Sequence, residues 1–265
     1  MIKLVAMDLD GTLLHHDKTI SDYTKQVLQK VKAKGVHLVL CTGRPIAAIQ
    51  RYLKELDLFD DDDYSITFNG GLVQHNQSER VVSSHLLSGK EAQFIATFLN
   101  QHHMTYDMVQ HQQLWKPSGQ VATFYESLNK VLALHEFQEV NTTLSYNKIV
   151  VTGEPEQMQT WVPVIQEELQ GKYYLVRSMP QLFEIAPLGV NKAEGIKALA
   201  KHLNIALEDI AAFGDEANDC EMLAEVGYGV AMGNANEAIQ QQARYVTLTN
   251  DEDGVAKALE QLVLD

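Results

Sequence analysis

The sequence contains few of the residues on which several protein classes depend. Only two of its 265 residues are cysteines, Cys41 and Cys220, which excludes a disulfide framework, and their spacing is not that of a zinc motif. Lysine and arginine total 21 against 35 aspartates and glutamates, so the net charge is −14. A general nucleic-acid or anionic-membrane binder needs a basic face, and this balance argues against both. An anionic substrate would require local cations to reverse the field.

Long apolar runs are also missing, and none approaches the roughly 18 residues of a membrane span. The ten histidines are scattered and form no metal-binding helix motif. The start of the chain has the pattern of a strand and not of a signal peptide. We therefore expect a reduced, soluble, cytoplasmic protein, with a monomer as the default state.

Strand and helix patterns alternate at both ends of the chain. Short apolar runs at residues 3–7, 36–41 and 65–68 predict buried strands, separated by amphipathic helices over 21–34 and 44–56. Strand and helix patterns alternate again after Pro187, with a helix predicted over 192–203. Alternation with short loops is typical of a parallel sheet covered on both faces. We expect an α/β fold with a Rossmann-like parallel-sheet core formed by residues 1–81 and 187–265.

The middle of the chain, residues 82–186, has a different texture and predicts an inserted α+β unit. Ser88 and Glu91 form a capping box before a helix, and residues 104–115 have the pattern of a hairpin. We expect a helix over 121–134, a strand over 148–151 and a hairpin over 173–186. A helix begins near Pro155, and Pro163 inside it predicts a kink or an early end.

Two carboxylates follow the first predicted strand, in the segment Asp8-Leu9-Asp10-Gly11-Thr12. Side chains two residues apart on an extended chain point the same way, and ligands usually bind at the carboxyl edge of a parallel sheet. The pair suits a shared divalent cation, or attack by one carboxylate while the other transfers a proton. The alternative is a capped turn in which Asp and Thr satisfy backbone groups.

Three further polar clusters follow predicted strands or open predicted helices. Thr42-Gly43-Arg44 places a hydroxyl and a glycine N–H at a helix start, which suits phosphoryl oxygens but also an ordinary cap. Lys192 opens a helix, where a cation opposes the helix dipole, and this favours a functional role. Three acidic residues crowd Gly214-Asp215-Glu216-Ala217-Asn218-Asp219, and their repulsion requires a compensating cation or lysine.

In their order and spacing, the four clusters resemble the haloacid dehalogenase-like (HAD) phosphohydrolases. The segment between the second and third clusters resembles the cap of the Cof-type sugar-phosphatase branch. The resemblance extends over essentially the whole chain and includes Asn69-Gly70-Gly71, Met232-Gly233-Asn234-Ala235 and the closing run from Thr249 to Ala256. It implies a HAD-like catalytic core, with residues 82–186 as a cap that sets substrate specificity and closes over a small ligand.

The resemblance implies a role for each matching residue. Asp8 matches the nucleophile that forms an aspartyl-phosphate, and Asp10 matches the acid and base that protonates the leaving oxygen and then activates water. Asp8, the main-chain carbonyl of Asp10, and Asp215 match the Mg²⁺ ligands. Asp219 is expected to partner Lys192 or metal-bound water. The residues expected to bind phosphate are the backbone N–H of Leu9, Thr42, Gly43, Lys192 and Asn218.

Together these features predict a Mg²⁺-dependent phosphatase that hydrolyses small phosphorylated metabolites, sugar phosphates above all. A dianionic phosphate repels an aspartate nucleophile, so Mg²⁺ and Lys192 must cancel charge before attack. Two alternatives stay open. A phosphomutase or phosphotransferase would use the same aspartyl-phosphate, and a non-catalytic phospho-receiver or sensor also combines an acidic Mg²⁺ pocket with a threonine and a lysine. No G-x-S-x-G or Walker-type loop is present.

Overall fold

Two units make up the chain, whose computed structural model describes residues 1–265. The core unit comprises Met1–Arg44, Ile49–Ser84 and Asn191–Asp265. The insert unit comprises Pro45–Ala48 and His85–Val190. Nowhere does a helix combine the length and the apolar character that crossing a membrane requires.

Strands and helices are numbered here in chain order. The strands are β1 (Leu4–Met7), β2 (His37–Cys41), β3 (Tyr64–Thr67), β4 (Leu72–His75), β5 (Val81–Ser84), β6 (Leu87–Ser88), β7 (Tyr106–Gln110), β8 (Gln113–Pro117), β9 (Ala133–Phe137), β10 (Ser145–Tyr146), β11 (Lys148–Thr152), β12 (Tyr173–Met179), β13 (Leu182–Pro187), β14 (Ile210–Gly214), β15 (Tyr228–Ala231) and β16 (Tyr245–Val246). The α-helices are α1 (Asp22–Ala33), α2 (Ile46–Glu55), α3 (Gly89–Gln101), α4 (Phe124–Leu128), α5 (Pro155–Leu169), α6 (Lys192–Leu203), α7 (Cys220–Glu225), α8 (Glu237–Gln240) and α9 (Gly254–Leu259).

An eight-stranded sheet organises the core unit, in the order β16-β15-β14-β1-β2-β3-β4-β5. Strands β16 to β3 are parallel, and β4 and β5 extend the sheet in antiparallel fashion. All four residues of β1 are buried, as expected for a parallel strand covered on both faces. The α/β prediction is confirmed. From β1 the chain adds β2 and β3 on one side of the sheet, and later β14, β15 and β16 on the other. Ligands bind at such a switch point, in a crevice at the carboxyl ends of the strands.

Helix α6 begins where its sequence predicts. The Asn191 side chain accepts a hydrogen bond from the N–H of Glu194 at 2.8 Å, which caps the first turn. One face of the helix then packs Ala193, Ile196 and Leu199 into the core beneath the sheet. Because this packing fixes the helix start, it also fixes where Lys192, the first residue of α6, is placed.

A six-stranded sheet organises the insert unit, in the order β12-β13-β11-β7-β8-β9. Both predicted hairpins are confirmed, since β7 pairs with β8 and β12 with β13 in antiparallel fashion. One face of the sheet packs apolar side chains such as Met108 and Ile149 in a core shared with residues of α3 and α5. The Ser88–Glu91 capping box opens α3 as predicted.

Two helices of this unit differ in length from the sequence prediction. The helix expected over 121–134 is limited to α4, because residues 133–137 instead form β9, which pairs in parallel with β8. Because β9 forms by pairing with another strand, the residues of β9 alone do not show a strand pattern. Helix α5 does not end at Pro163 but runs to Leu169, since its buried face of Met158, Ile165 and Leu169 outweighs the loss of one backbone donor.

The opposite face of the insert sheet carries buried charged groups. Lys148 and Glu184 form an ion pair at 2.7 Å. Asp107 is fully buried, accepts a hydrogen bond from the Thr123 hydroxyl at 2.5 Å, and leaves its second oxygen, Oδ1, without a partner. Burial raises the pKa of Asp107 to about 6. Ionised Asp107 therefore lowers the stability of this unit.

Replacing Asp107 by Asn tests this cost. The folded state takes up a proton near pH 6 and the unfolded state near pH 4, so the wild-type free energy of unfolding falls as pH rises between these values. Relative to wild type, Asp107→Asn should gain about 2 kcal/mol between pH 4.5 and pH 8, a shift in Tm on the order of 5 °C. Glu167→Gln, at an exposed carboxylate on α5, is the control and should show no such gain. Parallel Tm curves for Asp107→Asn and wild type would contradict the assignment.

Candidate active site

Three loops meet at the carboxyl edge of the core sheet, where β14, β1 and β2 end side by side. The pairing places Met7, the last residue of β1, beside Leu40 of β2 and Phe213 of β14. The next residue, Asp8, donates its N–H to the Phe213 carbonyl at 3.0 Å. Its side chain therefore emerges between the loop after β2 and the acidic loop after β14.

Lys192 connects Asp8 to the acidic loop. Its Nζ donates to Asp8 Oδ1 and to Asp219 Oδ1, each at 2.6 Å, and its side chain is fully buried. The second oxygen of Asp219, Oδ2, accepts the backbone N–H groups of Asp215 at 3.0 Å and Glu216 at 3.1 Å. Asp219 is thus fully engaged and holds both the ammonium and the turn of the acidic loop.

Asp215 lies against the loop that follows β1. Its Oδ1 accepts a hydrogen bond from the Thr12 hydroxyl at 2.7 Å. Gly11, with φ of +80°, passes so close that a Cβ there would lie 2.3 Å from Asp215 Oδ2. Only glycine permits this approach, because it tolerates the positive φ and has no side chain to clash.

The site carries an excess of negative charge. Carboxylate oxygens of Asp8, Asp215 and Asp219 all lie within 4.8 Å of one another, and Lys192 is the ammonium bound among them. Burial, together with repulsion from Asp219 and Asp215, raises the pKa of Asp8 to about 7 despite the attraction of Lys192. Burial also raises the pKa of Asp215 to about 6. The two carboxylates raise the pKa of Lys192, which stays charged.

The donor set fits a hard divalent cation. Three carboxylates against one ammonium leave two formal negative charges, which one such ion would cancel. Magnesium prefers oxygen ligands and usually takes only one or two carboxylates from the protein. Because Asp219 is already occupied by Lys192 and two N–H groups, Asp8 and Asp215 are the side chains that would hold the ion.

Asn69 contacts three of the residues that the sequence predicts to bind phosphate, namely Thr42, Gly43 and Asn218. Asn69, in the left-handed region with φ of 54°, accepts a hydrogen bond from Asn218 Nδ2 at 3.1 Å. A Cβ on Gly43 would lie 3.0 Å from the same Asn69 oxygen. The backbone N–H of Asn69 donates to the Thr42 carbonyl at 3.0 Å. Asn69 therefore joins the loop after β2 to the acidic loop.

Asp10 has a different environment from Asp8. Its carboxylate forms a two-point ion pair with Arg44, from Nε at 2.8 Å and from a terminal nitrogen at 2.6 Å, and also contacts Lys18 at 2.9 Å. Burial would raise the pKa of Asp10, but the hydrogen bonds and charges of Arg44 and Lys18 outweigh it and hold the pKa below its usual value. In this structure Asp10 is a carboxylate.

Three contributors to the site were not singled out for a role from the sequence. Thr12 orients Asp215, Asn69 joins two loops, and Asn234 contacts both Gly11 and Asp215. All three lie inside motifs that carry the family resemblance, which was the available signal. Their partners lie far away along the chain, and no local pattern identifies them.

A buried carboxylate paired with an ammonium, beside further carboxylates that could hold a cation at the switch point of a parallel sheet, is an arrangement suited to group-transfer enzymes. The model of the family described as haloacid dehalogenase-like hydrolase matches residues 5–259. The chain belongs to this family, and the resemblance seen in its motifs is confirmed. It is a hydrolase of the Cof-type branch.

Relatives align over nearly their full length. YxeH of Bacillus subtilis is 34% identical over 268 residues, with 100% of this chain and 99% of YxeH covered. The 5-amino-6-(5-phospho-D-ribitylamino)uracil phosphatase YcsE of the same organism is 31% identical, with 99% of this chain and 96% of YcsE covered.

Two solved structures resemble the whole fold. A haloacid dehalogenase-like hydrolase from Bacteroides thetaiotaomicron superposes with a TM-score of 0.88 at 30% identity, covering 99% of this chain and 100% of that chain. The HAD subclass IIB sugar phosphatase BT4131 superposes with a TM-score of 0.78 at 26% identity, with the same coverage.

Removing the ammonium tests the charge balance of the site. Lys192→Met leaves Asp8 and Asp219 buried without their cation and should cost about 3–5 kcal/mol of the free energy of unfolding. Adding Asp219→Asn removes one of the stranded charges and should restore part of this loss. The control is Lys197→Met on the same helix, whose exposed pairs with Glu194 and Glu225 are worth less than about 1 kcal/mol. Urea unfolding measures all three, and equal small losses for both lysines would show that the buried ion pairs are unimportant.

Proposed function

We propose that this protein is a Mg²⁺-dependent phosphatase that hydrolyses small phosphate esters, sugar phosphates in particular, through an aspartyl-phosphate on Asp8. The observation that carries the proposal is the ion pair of Asp8 with the buried Lys192 beside Asp215, at the carboxyl end of the central strand. An aspartate so placed could react with a phosphate dianion once the Lys192 ammonium and a bound cation offset the negative charge of the site.

Two displacements complete the reaction. A carboxylate oxygen of Asp8 attacks phosphorus, the bond from phosphorus to the ester oxygen breaks, and Asp10 gives the departing alkoxide a proton. Water then attacks the phosphorus of the aspartyl-phosphate while Asp10 takes up a proton, which releases phosphate and restores Asp8. Two smaller barriers replace one large barrier.

The transferring phosphoryl group needs donors around it. We assign this task to the Thr42 hydroxyl, the backbone N–H groups of Gly43 and Leu9, the Lys192 ammonium and the Asn218 amide. The link through Asn69 supports the assignment, since it brings Gly43 and Asn218 to the same place. Magnesium, when bound by Asp8, Asp215 and the Asp10 carbonyl, would supply the charge that stabilises the phosphoryl oxygens.

Asp10 must change partners during this cycle. A general acid has to carry a proton, but Arg44 and Lys18 hold Asp10 as a carboxylate. We infer that the ion pair with Arg44 opens when an anionic substrate enters, since the phosphate competes for the guanidinium. Loss of that contact raises the pKa of Asp10 toward its usual value, although Lys18 still lowers it.

The proposed substrate class rests on the relatives. YcsE is named for a phosphate ester on a ribityl chain, and BT4131 for sugar phosphates. Both are small polyhydroxylated molecules, and both relatives align with nearly the whole of this chain. We assign substrate selection to the insert unit and phosphoryl transfer to the core unit.

Replacing the nucleophile tests the covalent step. Asp8→Asn keeps the size of the side chain but removes the charge that attacks phosphorus, and it should lower turnover of p-nitrophenyl phosphate by at least about 10⁴-fold. Asp22→Asn, at an exposed carboxylate on α1, should leave turnover unchanged. Substantial phosphate release by the purified Asp8 variant would refute the aspartyl-phosphate route.

Metal removal and phosphate release separate the hydrolase from its alternatives. In a panel of sugar phosphates without any added acceptor, wild-type protein should release inorganic phosphate with Mg²⁺, lose activity in EDTA, and regain it when Mg²⁺ is restored. The readouts are free phosphate and the dephosphorylated sugar. Isomerised sugar phosphate without free phosphate would indicate a mutase. A stable phosphoprotein without turnover would indicate a receiver.

A further inference from the structure

Asn234 lies where three loops of the core unit meet. Its amide nitrogen, Nδ2, donates to the Gly11 carbonyl at 2.8 Å and lies 3.4 Å from Asp215 Oδ2. The first contact reaches the loop after β1, and the second reaches the acidic loop after β14. One side-chain amide thus contacts both of the loops that would contribute metal ligands.

The opposite side of Asn234 is held in place. Its Oδ1 accepts the backbone N–H of Asn250 at 3.0 Å. The Asn250 side chain in turn donates to the Leu14 carbonyl at 2.8 Å, on the same loop as Gly11. The backbone N–H of Gly233 donates to the Leu248 carbonyl at 3.0 Å. Asn234 is exposed, but these hydrogen bonds hold its amide in one orientation.

The chemistry of an amide suits this position. Asp215 receives the Thr12 hydroxyl on Oδ1 and Asn234 on Oδ2, two neutral donors that orient the carboxylate without cancelling its charge. A lysine or arginine there would neutralise Asp215 and repel a cation. Neutral partners of this kind orient metal ligands in other proteins, and their loss typically weakens metal binding about 10–100-fold.

We infer that Asn234, braced by Asn250, is a positioning residue that orients the Asp215 carboxylate toward a divalent cation and holds the Gly11–Thr12 peptide, next along the chain to the Asp10 carbonyl. This inference rests on the proposed metal-dependent function. It assigns a role to residues of two motifs that take no part in the proposed reaction. These are Met232-Gly233-Asn234-Ala235 and the start of the closing run from Thr249 to Ala256.

Metal binding by purified Asn234→Ala tests the inference. Mn²⁺ serves as the probe, because its free-ion paramagnetic resonance signal falls when it binds, with no substrate present. Asn234→Ala should bind Mn²⁺ at least about 10-fold more weakly than wild type. Asn236→Ala is the matched control, since Asn236 lies two residues away and only caps α8, through a bond from the Ile239 N–H at 3.2 Å. It should bind Mn²⁺ like wild type.

A second variant keeps the test decisive if the alanine variant does not fold. Asn234→Asp retains an oxygen for the Asn250 N–H but loses the donor to Gly11 and Asp215, and its kcat at saturating Mg²⁺ should fall at least about 10-fold. A wild-type kcat in this variant, wild-type Mn²⁺ affinity in Asn234→Ala, or equal weakening in Asn236→Ala would overturn the inference. Failure of the wild-type protein itself to bind Mn²⁺ and to release phosphate would instead overturn the proposed function.

Discussion

The rest of the site depends on the buried ammonium of Lys192. Its position at the start of α6 opposes the helix dipole, and burying a charge costs several kcal/mol unless partners compensate. Asp8 and Asp219 supply that compensation at 2.6 Å each, and without the ammonium they would repel each other. No stability argument favours assembling three carboxylates and a lysine in one buried place. The arrangement suits the binding of a doubly charged anion and a doubly charged cation, as in the proposed function.

Parallel strand order makes this concentration of charge possible. The strands that directly precede Asp8, Thr42 and Asp215 are separated in the chain but adjacent in the sheet, so the loops that follow them meet at one edge. Close approach of those loops then requires small residues. Gly11 gives space to Asp215, and a Cβ on Gly214 would lie 2.4 Å from the Cβ of Asp219. Hydrogen bonds from threonine and asparagine side chains set the final orientation.

The two carboxylates after β1 illustrate how environment divides the work of similar groups. Burial, with repulsion from Asp219 and Asp215, raises the pKa of Asp8, whereas Asp10 is partly exposed and paired with Arg44, which lowers its pKa. The sequence spacing predicts that both side chains emerge at the same sheet edge. It contains no information about Arg44, because that contact spans 34 residues and depends on how β1 and β2 lie together.

The sequence was sufficient for the α/β class, for the capped start of α6 and for the family, because each depends on short motifs and on their order along the chain, not on which distant segments touch. The length of α4 could not be read in the same way, since β9 forms only by pairing with β8. The hydrogen bonds made by Asn69 and Asn234 could not be predicted either, because they join residues about 150 and 220 positions apart in the chain. Residue type and spacing specify which groups are available. Folding of the sheet selects which of them touch, because contacts at its edge join segments that have no proximity along the chain.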